Sequence, residues 1–427
     1  MSRQPDRRTF LKSAAAASAA FTILRPEIVF GTAANSSVGL GVIGCGNRGT
    51  NVGSGLVTNA GARITAVADL MRDKLADGQK NFNQANRGKG YTEISPKNLF
   101  SGSEAYLRLI ECKDVDAVLV TTPAVFHPMH MEAAVEAGKH TYCEKPVGVD
   151  VKGVNRFLRA SDRANGRCSL AVGFQIRHAT PYVELRQKIN EGLIGDIVSV
   201  QAYYFSGEPD LDWRADRSWD ENRLRCWFWF RDLSGDILVE QGIHVVDICN
   251  WILGQHPVAA SGVGGRAGRD DKGDAWSHYQ VNFEYPCGAH VNFHSTQLDP
   301  AYGDVAEKFF GTKGIAEAHY SGGVFIKGAQ EWDSGASRGG ATESTKDKAA
   351  GRFSSALEDA DPNKQKAFIG SITSGQLINE GRAGADTAMS AILGRTAAYW
   401  GRRVTWDEVA ASDDCFEPAL DLRQFDK

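Results

Sequence analysis

No Cys-x-x-Cys pair occurs in this chain, and its eight cysteines (Cys45, Cys112, Cys143, Cys168, Cys226, Cys249, Cys287 and Cys415) are scattered. That leaves neither a zinc site nor a disulfide framework. Several sit inside apolar strand or helix patterns, where a buried thiol is expected. Basic residues are not in excess: 48 Lys and Arg stand against 52 Asp and Glu, a formal net charge of −4. The footprint of a nucleic-acid-binding surface is therefore missing. The Ala-rich run Ser13 to Leu24 is shorter than the about 20 apolar residues that span a bilayer, so no stable membrane anchor is expected. No internal repeat is found. A chain of 427 residues with 42% hydrophobic and 23% charged residues reads as a soluble globular protein of two to three domains.

The most specific feature present is Val38-Gly-Leu-Gly-Val-Ile-Gly-Cys-Gly-Asn-Arg-Gly49. A short apolar run feeds directly into Gly44-x-Gly46-x-x-Gly49. Gly44 permits the tight strand-to-helix turn, Gly46 lets a pyrophosphate reach the backbone, and Gly49 lets the next helix pack close to the sheet. The helix start at Asn47 and Arg48 then offers unpaired N–H groups to phosphate. A second apolar run, Arg63 to Asp69, ends in an acid 20 residues past Gly49. A carboxylate there suits the adenosine ribose of a dinucleotide. Asp69 favours a free 2′-hydroxyl, hence NAD over NADP, although Arg72 nearby could accept a 2′-phosphate.

Strand patterns at 38–44, 63–69, 115–121, 140–144 and 169–174 alternate with helix patterns at 48–58, 72–83, 103–111, 128–137 and 152–165. This is the texture of a doubly wound parallel sheet. Residues 84–99 read as an insertion loop. From about 178 the pattern changes to a helix at 180–191 and longer alternating strands at 196–205, 279–285, 289–296 and 307–311, which fit a larger, mainly antiparallel open sheet. Residues 328–362 read as a mobile Gly/Ser-rich excursion. A last helix at 384–400 is placed to pack back on the first domain. The expected fold class is α/β, with a dinucleotide-binding domain at 36–177 and a substrate-binding α/β domain at 178–427.

Two constellations carry chemistry. The strand at 140–144 runs into Glu144-Lys145-Pro146, at the carboxyl end of the sheet where ligands bind. An ammonium there can stabilise alkoxide character as hydride leaves a substrate carbon. Further on, Glu240, His244 and Asp247 recur at i, i+4 and i+7 and are expected to share one helix face. An imidazole flanked by carboxylates suits proton transfer near neutral pH. Gly242 is unfavourable inside a helix and points to a close neighbour. No further ligand cluster accompanies these three side chains, so no metal is expected.

Residues 1–34 read as a leader. Arg7-Arg8-Thr9-Phe10-Leu11-Lys12 followed by the weakly apolar run resembles a twin-arginine (Tat) export signal, with Asp6 where the pattern usually has Ser. The resemblance implies a partner in the Tat machinery and a periplasmic or exported protein. Tat substrates cross the membrane folded, which suits a protein that takes up its nucleotide beforehand.

The glycine turn, the later Glu144-Lys145-Pro146 and the Gly242-x-His244-x-x-Asp247 beyond it resemble the Gfo/Idh/MocA oxidoreductases in order and spacing. The resemblance implies a Rossmann domain joined to an open-sheet α/β domain, a tightly held NAD(P), and hydride exchange with a sugar, glycoside or cyclitol. It makes Lys145 the polarising cation and His244 the general acid/base. Glu240 stands where the family more often has Asp, which leaves its orienting role open. Thr122-Pro123-Ala124 keeps two of three residues of another family motif, with His127 retained. These, with Glu144, complete the expected cofactor contacts. Self-association through the open sheet follows by the same analogy.

Gln175-x-Arg177 either lines the cleft or places Arg177 in an interdomain ion pair. Between 207 and 232, four of the nine tryptophans (Trp213, Trp219, Trp227, Trp229) alternate with acids and arginines, including Arg225. Indole faces and charged groups suit a carbohydrate's C–H face and hydroxyls. A self-packed loop or an oligomer interface has the same composition. Trp213, Arg225, Trp227, Arg177 and Asp247 are the expected substrate contacts. An exported sugar oxidoreductase is the leading reading. The alternatives are a redox-neutral, NAD-dependent glycoside hydrolase acting by transient oxidation and elimination, and a non-catalytic nucleotide-dependent binding protein, against which Lys145 and His244 both argue.

Overall fold

The computed structural model describes residues 37–298, 303–336 and 356–426. The leader at 1–34 lies outside the described residues, as do 337–355 of the expected excursion. From Val38 onward the chain forms one compact unit.

Six parallel strands make the first sheet, in the order β3-β2-β1-β4-β5-β6. They are β1 (Gly39–Ile43), β2 (Arg63–Asp69), β3 (Leu99–Ser101), β4 (Ala117–Val120), β5 (His140–Cys143) and β6 (Leu170–Val172). β1 and β4 are almost wholly buried because helices cover both faces, and their sequences are correspondingly apolar throughout. Strand order reverses between β1 and β4, which opens a crevice at their carboxyl ends. Register brings the motif residues level: Ile43 pairs with Val120, and Val120 with Cys143. Thr121 N–H donates to Ile43 O at 2.9 Å and Glu144 N–H to Val120 O at 2.9 Å. The glycine turn, Thr122 and Lys145 therefore leave the sheet side by side.

Among the described residues the second sheet has nine strands, β14-β13-β12-β11-β7-β10-β9-β8-β15, and there only the central β7–β10 pair is parallel. Its members are β7 (Ile197–Ser206), β8 (Ala259–Gly265), β9 (His278–Glu284), β10 (His290–Gln297), β11 (Asp304–Gly311), β12 (Gly314–His319), β13 (Val324–Gly328), β14 (Trp332–Asp333) and β15 (Val404–Thr405). The fold is thus α/β, a doubly wound domain plus a large mainly antiparallel sheet, as the sequence pattern indicates. Alternate positions of β9 and β10 face the core, apolar ones (Tyr279, Val281, Phe283, Val291, Phe293) joined at the end of β10 by the buried Ser295 and Gln297.

Several boundaries differ from expectation. The second helix runs on to Gly88, so only part of 84–99 is loop, and that stretch leads into the edge strand β3. Helix Ala360–Thr373 begins inside the expected excursion and covers the first sheet, with Phe368 edge-on to Tyr142 at 5.6 Å between ring centroids. Helix Gly381–Trp400 lies between the sheets: a Cβ on Gly384 would sit 3.0 Å from Val172, and one on Gly394 2.7 Å from Phe283. All eight cysteines are unpaired, and five are buried. No helix among the described residues is long and apolar enough to cross a membrane.

Candidate active site

A cavity of about 750 Å³ opens where the carboxyl end of the first sheet faces the second. Its floor is the glycine turn. Gly44 has φ +96°, a conformation that side chains rarely adopt, and a Cβ there would meet Thr121 backbone at 2.7 Å. A Cβ on Gly49 would lie 2.0 Å from Gly44 O, so this helix start can approach the strand only without a side chain. Gly46 differs: nothing lies within 4 Å of its missing Cβ, so the space above it is left open to the cavity. The helix Asn47–Ala60 that follows has no side-chain cap, and its first N–H groups have no intrahelical partner. This is a ready anion site, and an open cradle over Gly46 fits a pyrophosphate.

Asp69 ends β2 beside this turn. Its carboxylate accepts Cys45 N–H at 2.7 Å and Met71 N–H at 2.8 Å. Burial pushes its carboxyl pKa up, opposed by those two bonds. Arg48 does not reach out freely. Its Nε donates to Glu144 Oε1 at 2.8 Å, and its other two nitrogens pair with Asp361 at 2.8 and 2.9 Å. Thr122, Pro123 and His127 also line the cavity. The two ring nitrogens of His127 lie 2.7 Å from Thr122 O and 2.7 Å from Pro146 O, so the ring ties the end of β4 to the Lys145–Pro146 turn. That peptide bond is cis.

At the far end of the crevice, Lys145 Nζ donates to Glu240 Oε1 at 2.8 Å and to Glu240 O at 2.6 Å. Both side chains are largely buried. Glu240 lies in a π-helical turn, Leu238–Gly242, that leads into the α-helix Ile243–Leu253. The turn starts from Gly235 and Asp236, both at positive φ, with the buried Asp236 carboxylate held by Ile237 N–H, Trp276 N–H and Tyr399 OH. The close neighbour that Gly242 pointed to is Phe293: a Cβ would be 2.7 Å from its ring.

His244 faces the same cavity, and its Nδ1 is buried with no hydrogen-bond partner among the described residues. Burial, then the positive charges of Lys145 and Arg48, hold its pKa well below the ordinary imidazole value. It is therefore neutral at pH 7 and able to accept a proton. A neutral base beside a restrained ammonium, with an open anion site along the same crevice, is an arrangement for proton and hydride transfer from an alcohol.

Not every expected contact reaches the cavity. Asp247 is buried one helical turn beyond His244. It pairs with Arg177 at 2.7 and 2.6 Å and accepts Thr387 OH at 3.0 Å. Neither Asp247 nor Arg177 lines the cavity, so the single polar face expected of Glu240, His244 and Asp247 is divided. The Trp-rich loop is also divided. Trp227 lines the cavity, whereas Trp213 packs against Trp219, Trp229 and Phe230 at 5.2, 6.4 and 6.3 Å. Arg225 lines the cavity but is turned towards Asp73, at the start of the helix after β2, with bonds of 2.8 and 2.9 Å. Sequence reasoning missed Lys74, Tyr204, Gln241 and Leu422 in the wall, while Gln175 lines the cavity as the cleft reading of Gln175-x-Arg177 expects. Gln175 is buried, and its Oε1 has no partner among the described residues.

Residues 38–173 match a family described as an oxidoreductase family with an NAD-binding Rossmann fold, and residues 182–317 match the GFO/IDH/MocA C-terminal domain. The chain belongs to the Gfo/Idh/MocA family. An inositol 2-dehydrogenase/D-chiro-inositol 3-dehydrogenase of Shouchella clausii is 28% identical over 218 residues, 51% of this chain and 53% of the relative. A glycosyl hydrolase family 109 protein of Shewanella amazonensis is 28% identical over 226 residues, 49% and 47% of the two chains. The chain spans about half the length of the curated relatives it matches. Among solved structures, an aldose-aldose oxidoreductase from Caulobacter crescentus superposes with TM-score 0.65 at 20% identity, over 86% of this chain and 99% of that one. A levoglucosan dehydrogenase complexed with NADH and levoglucosan gives TM-score 0.64 at 19% identity, over 86% and 99%. These last two likenesses show a shared fold.

Proposed function

We propose that this Gfo/Idh/MocA member is an exported NAD(P)-dependent oxidoreductase acting on a hydroxyl of a sugar, glycoside or cyclitol, with NAD preferred and retained through many turnovers. The observation that carries the reading is the pairing of Lys145, gripped twice by Glu240, with the neutral and unpartnered His244 on one cavity. Residues 44–49 and Asp69 would hold the nucleotide, whose nicotinamide supplies the hydride acceptor. Lys145 donates to the reacting hydroxyl and stabilises its developing negative charge. His244 takes the hydroxyl proton. Glu240, one methylene longer than the family's more frequent Asp, meets Nζ with its side chain and its own carbonyl together, which fixes where the ammonium points. Trp227 offers an apolar face to a sugar ring. Export rests on Arg7-Arg8-Thr9-Phe10-Leu11-Lys12 and the run behind it. Retention follows from export, since free nicotinamide nucleotide is scarce outside the cytoplasm.

A redox-neutral glycoside hydrolase is the second reading, favoured by the similarity to glycosyl hydrolase family 109 proteins. There, transient oxidation of the sugar would acidify a neighbouring C–H, and His244 would remove that proton. Mass spectrometry and absorbance of the purified protein, before and after a panel of glycosides and cyclitols, test both. Bound nucleotide reduced by one compound, with a keto product, supports the oxidoreductase. Aglycone released without net oxidation supports the hydrolase. No bound or bindable nucleotide would overturn both.

A further inference from the structure

We propose that the C-terminal tail, residues 414–426, together with helix Trp219–Arg225, completes the nucleotide site as a clasp drawn across the carboxyl edge of the first sheet. The inference rests on the nucleotide reading above and deepens it, by naming what retains the cofactor.

The tail is anchored at both ends of that edge. Near β5, Phe416 N–H donates to Asp150 Oδ2 at 2.6 Å, and Asp414 accepts Arg395 Nη2 at 2.7 Å. Beyond β3, Asp426 accepts Ser103 N–H at 2.7 Å and Ser103 OH at 3.0 Å. It can come this close because Gly102 has no side chain: a Cβ there would meet Asp426 Oδ1 at 2.7 Å. Since the sheet runs β3-β2-β1-β4-β5, a segment fixed beside β5 and beside β3 must pass the ends of β4, β1 and β2. Those are the ends that carry Thr122, the glycine turn and Asp69. Midway, Leu422 lines the cavity, while Leu420 packs on the cluster of Cys226, Trp229, Phe230 and Leu233.

The short helix is stitched to the tail and to the sheet. Asp421 N–H donates to Asp220 Oδ2 at 2.8 Å, and Ser218 OH to Gln424 Oε1 at 2.7 Å. Arg225 closes the other side through its two bonds to Asp73, four residues past Asp69. The clasp thus meets the first sheet's domain at Asp73 and Ser103 on the adenosine-binding side, and at Asp150 beyond the Lys145–Pro146 turn. Nucleotide leaving by the adenosine-binding side has to break the Asp73 and Ser103 ties, while substrate at the Lys145 end does not. The Asp73 tie is ionic and both of these ties are exposed, so each is individually weak and the ionic one is weakened by salt.

The test uses the full-length protein loaded with NADH, chased with excess NAD and followed by nicotinamide fluorescence at low and high salt. Asp73→Asn and Asp426→Asn are compared singly and together, with a thermal melt to confirm folding. Each single variant should release NADH up to about fivefold faster, and the pair about tenfold faster. Wild-type release should quicken with salt, and Asp73→Asn should lose most of that dependence. Folded variants that release at the wild-type rate overturn the clasp, even where the wild type retains nucleotide well. A wild type that loses NADH within seconds overturns retention instead, and the variant-to-wild-type ratio still decides the clasp.

Discussion

Replacing Gly46 by Ala separates what the glycine turn does for the fold from what it does for the nucleotide. Gly46 has φ −68° and ψ −174°, extended backbone that alanine adopts without strain, and no atom lies within 4 Å of the added Cβ. Two small terms oppose each other. Alanine is a poorer N-cap than glycine, at about 0.5–1 kcal/mol. It also loses less unfolded-chain entropy, which returns about 0.4–1 kcal/mol. Net stability should therefore change by less than about 1 kcal/mol. The methyl group would instead occupy the open space over the helix start, where a pyrophosphate must approach the N–H groups. A hydrogen bond to a charged group contributes about 1.5–3 kcal/mol, so losing one weakens NADH binding by about tenfold to a few hundredfold. Fluorescence titration with NADH, beside a nucleotide-free thermal melt, measures both. Gly49→Ala is the contrasting control: its Cβ would be 2.0 Å from Gly44 O, so it should destabilise the empty protein by about 1–3 kcal/mol. Gly46→Ala binding NADH within about threefold of wild type would refute the pyrophosphate assignment.

Other outcomes follow from the same geometry. Lys145→Met should lower kcat by about 10²–10³, as for loss of one oxyanion donor, while NADH titration still shows binding; a smaller kcat loss would remove Lys145 from the reaction. The His244 pKa lies below its ordinary value, so the basic form persists as pH falls, and the acid limb of kcat/KM should lie well under pH 6.5 in a pH-rate profile. A limb at or above that pH would mean that His244 is not the base. Asp247→Asn strands the Arg177 guanidinium and should cost about 3 kcal/mol in urea unfolding; a loss under about 1 kcal/mol would show that the pair is no anchor.

Five of the six strands of the first sheet were legible because they are short, apolar and punctuated by glycine, and buried parallel strands leave that mark; the edge strand β3 is three half-buried residues at the end of the expected loop. The nine-stranded sheet was legible only in its central members. β8 is half glycine and serine in its middle, and β14 and β15 are two residues each, too short for alternation to register. Helix Ala360–Thr373 was hidden because a Gly/Ser-rich run precedes it and its buried face includes Lys364 and Gln365. Lys145, Glu240 and His244 line one cavity as the motif spacing expects, although Glu240 lies in a π-turn and not in the α-helix. Asp247 shares the α-helix Ile243–Leu253 with His244 but sits one turn further on, where Arg177 and Thr387 hold its carboxylate outside the cavity.

The charged residues among the expected contacts share a constraint. Arg48, Arg177, Arg225 and Asp247 are charged, and a charge taken out of water must be neutralised whether or not ligand is present. Each is paired inside the protein, to Glu144 and Asp361, to Asp247, to Asp73, and to Arg177. Charge in a sequence therefore marks where ion pairs form, and only indirectly where ligands go. Buried neutral groups without partners are more telling, since each costs about 1–3 kcal/mol until something completes it. His244 Nδ1 and Gln175 Oε1 are both of this kind, and both residues line the cavity that Lys145 also lines. An amide oxygen accepts only, so the ligand that satisfies Gln175 must bring it a donor, as a hydroxyl neighbouring the reacting carbon does. A second hydroxyl on the substrate would supply that donor, which favours a polyhydroxylated ring over a simple alcohol at this site.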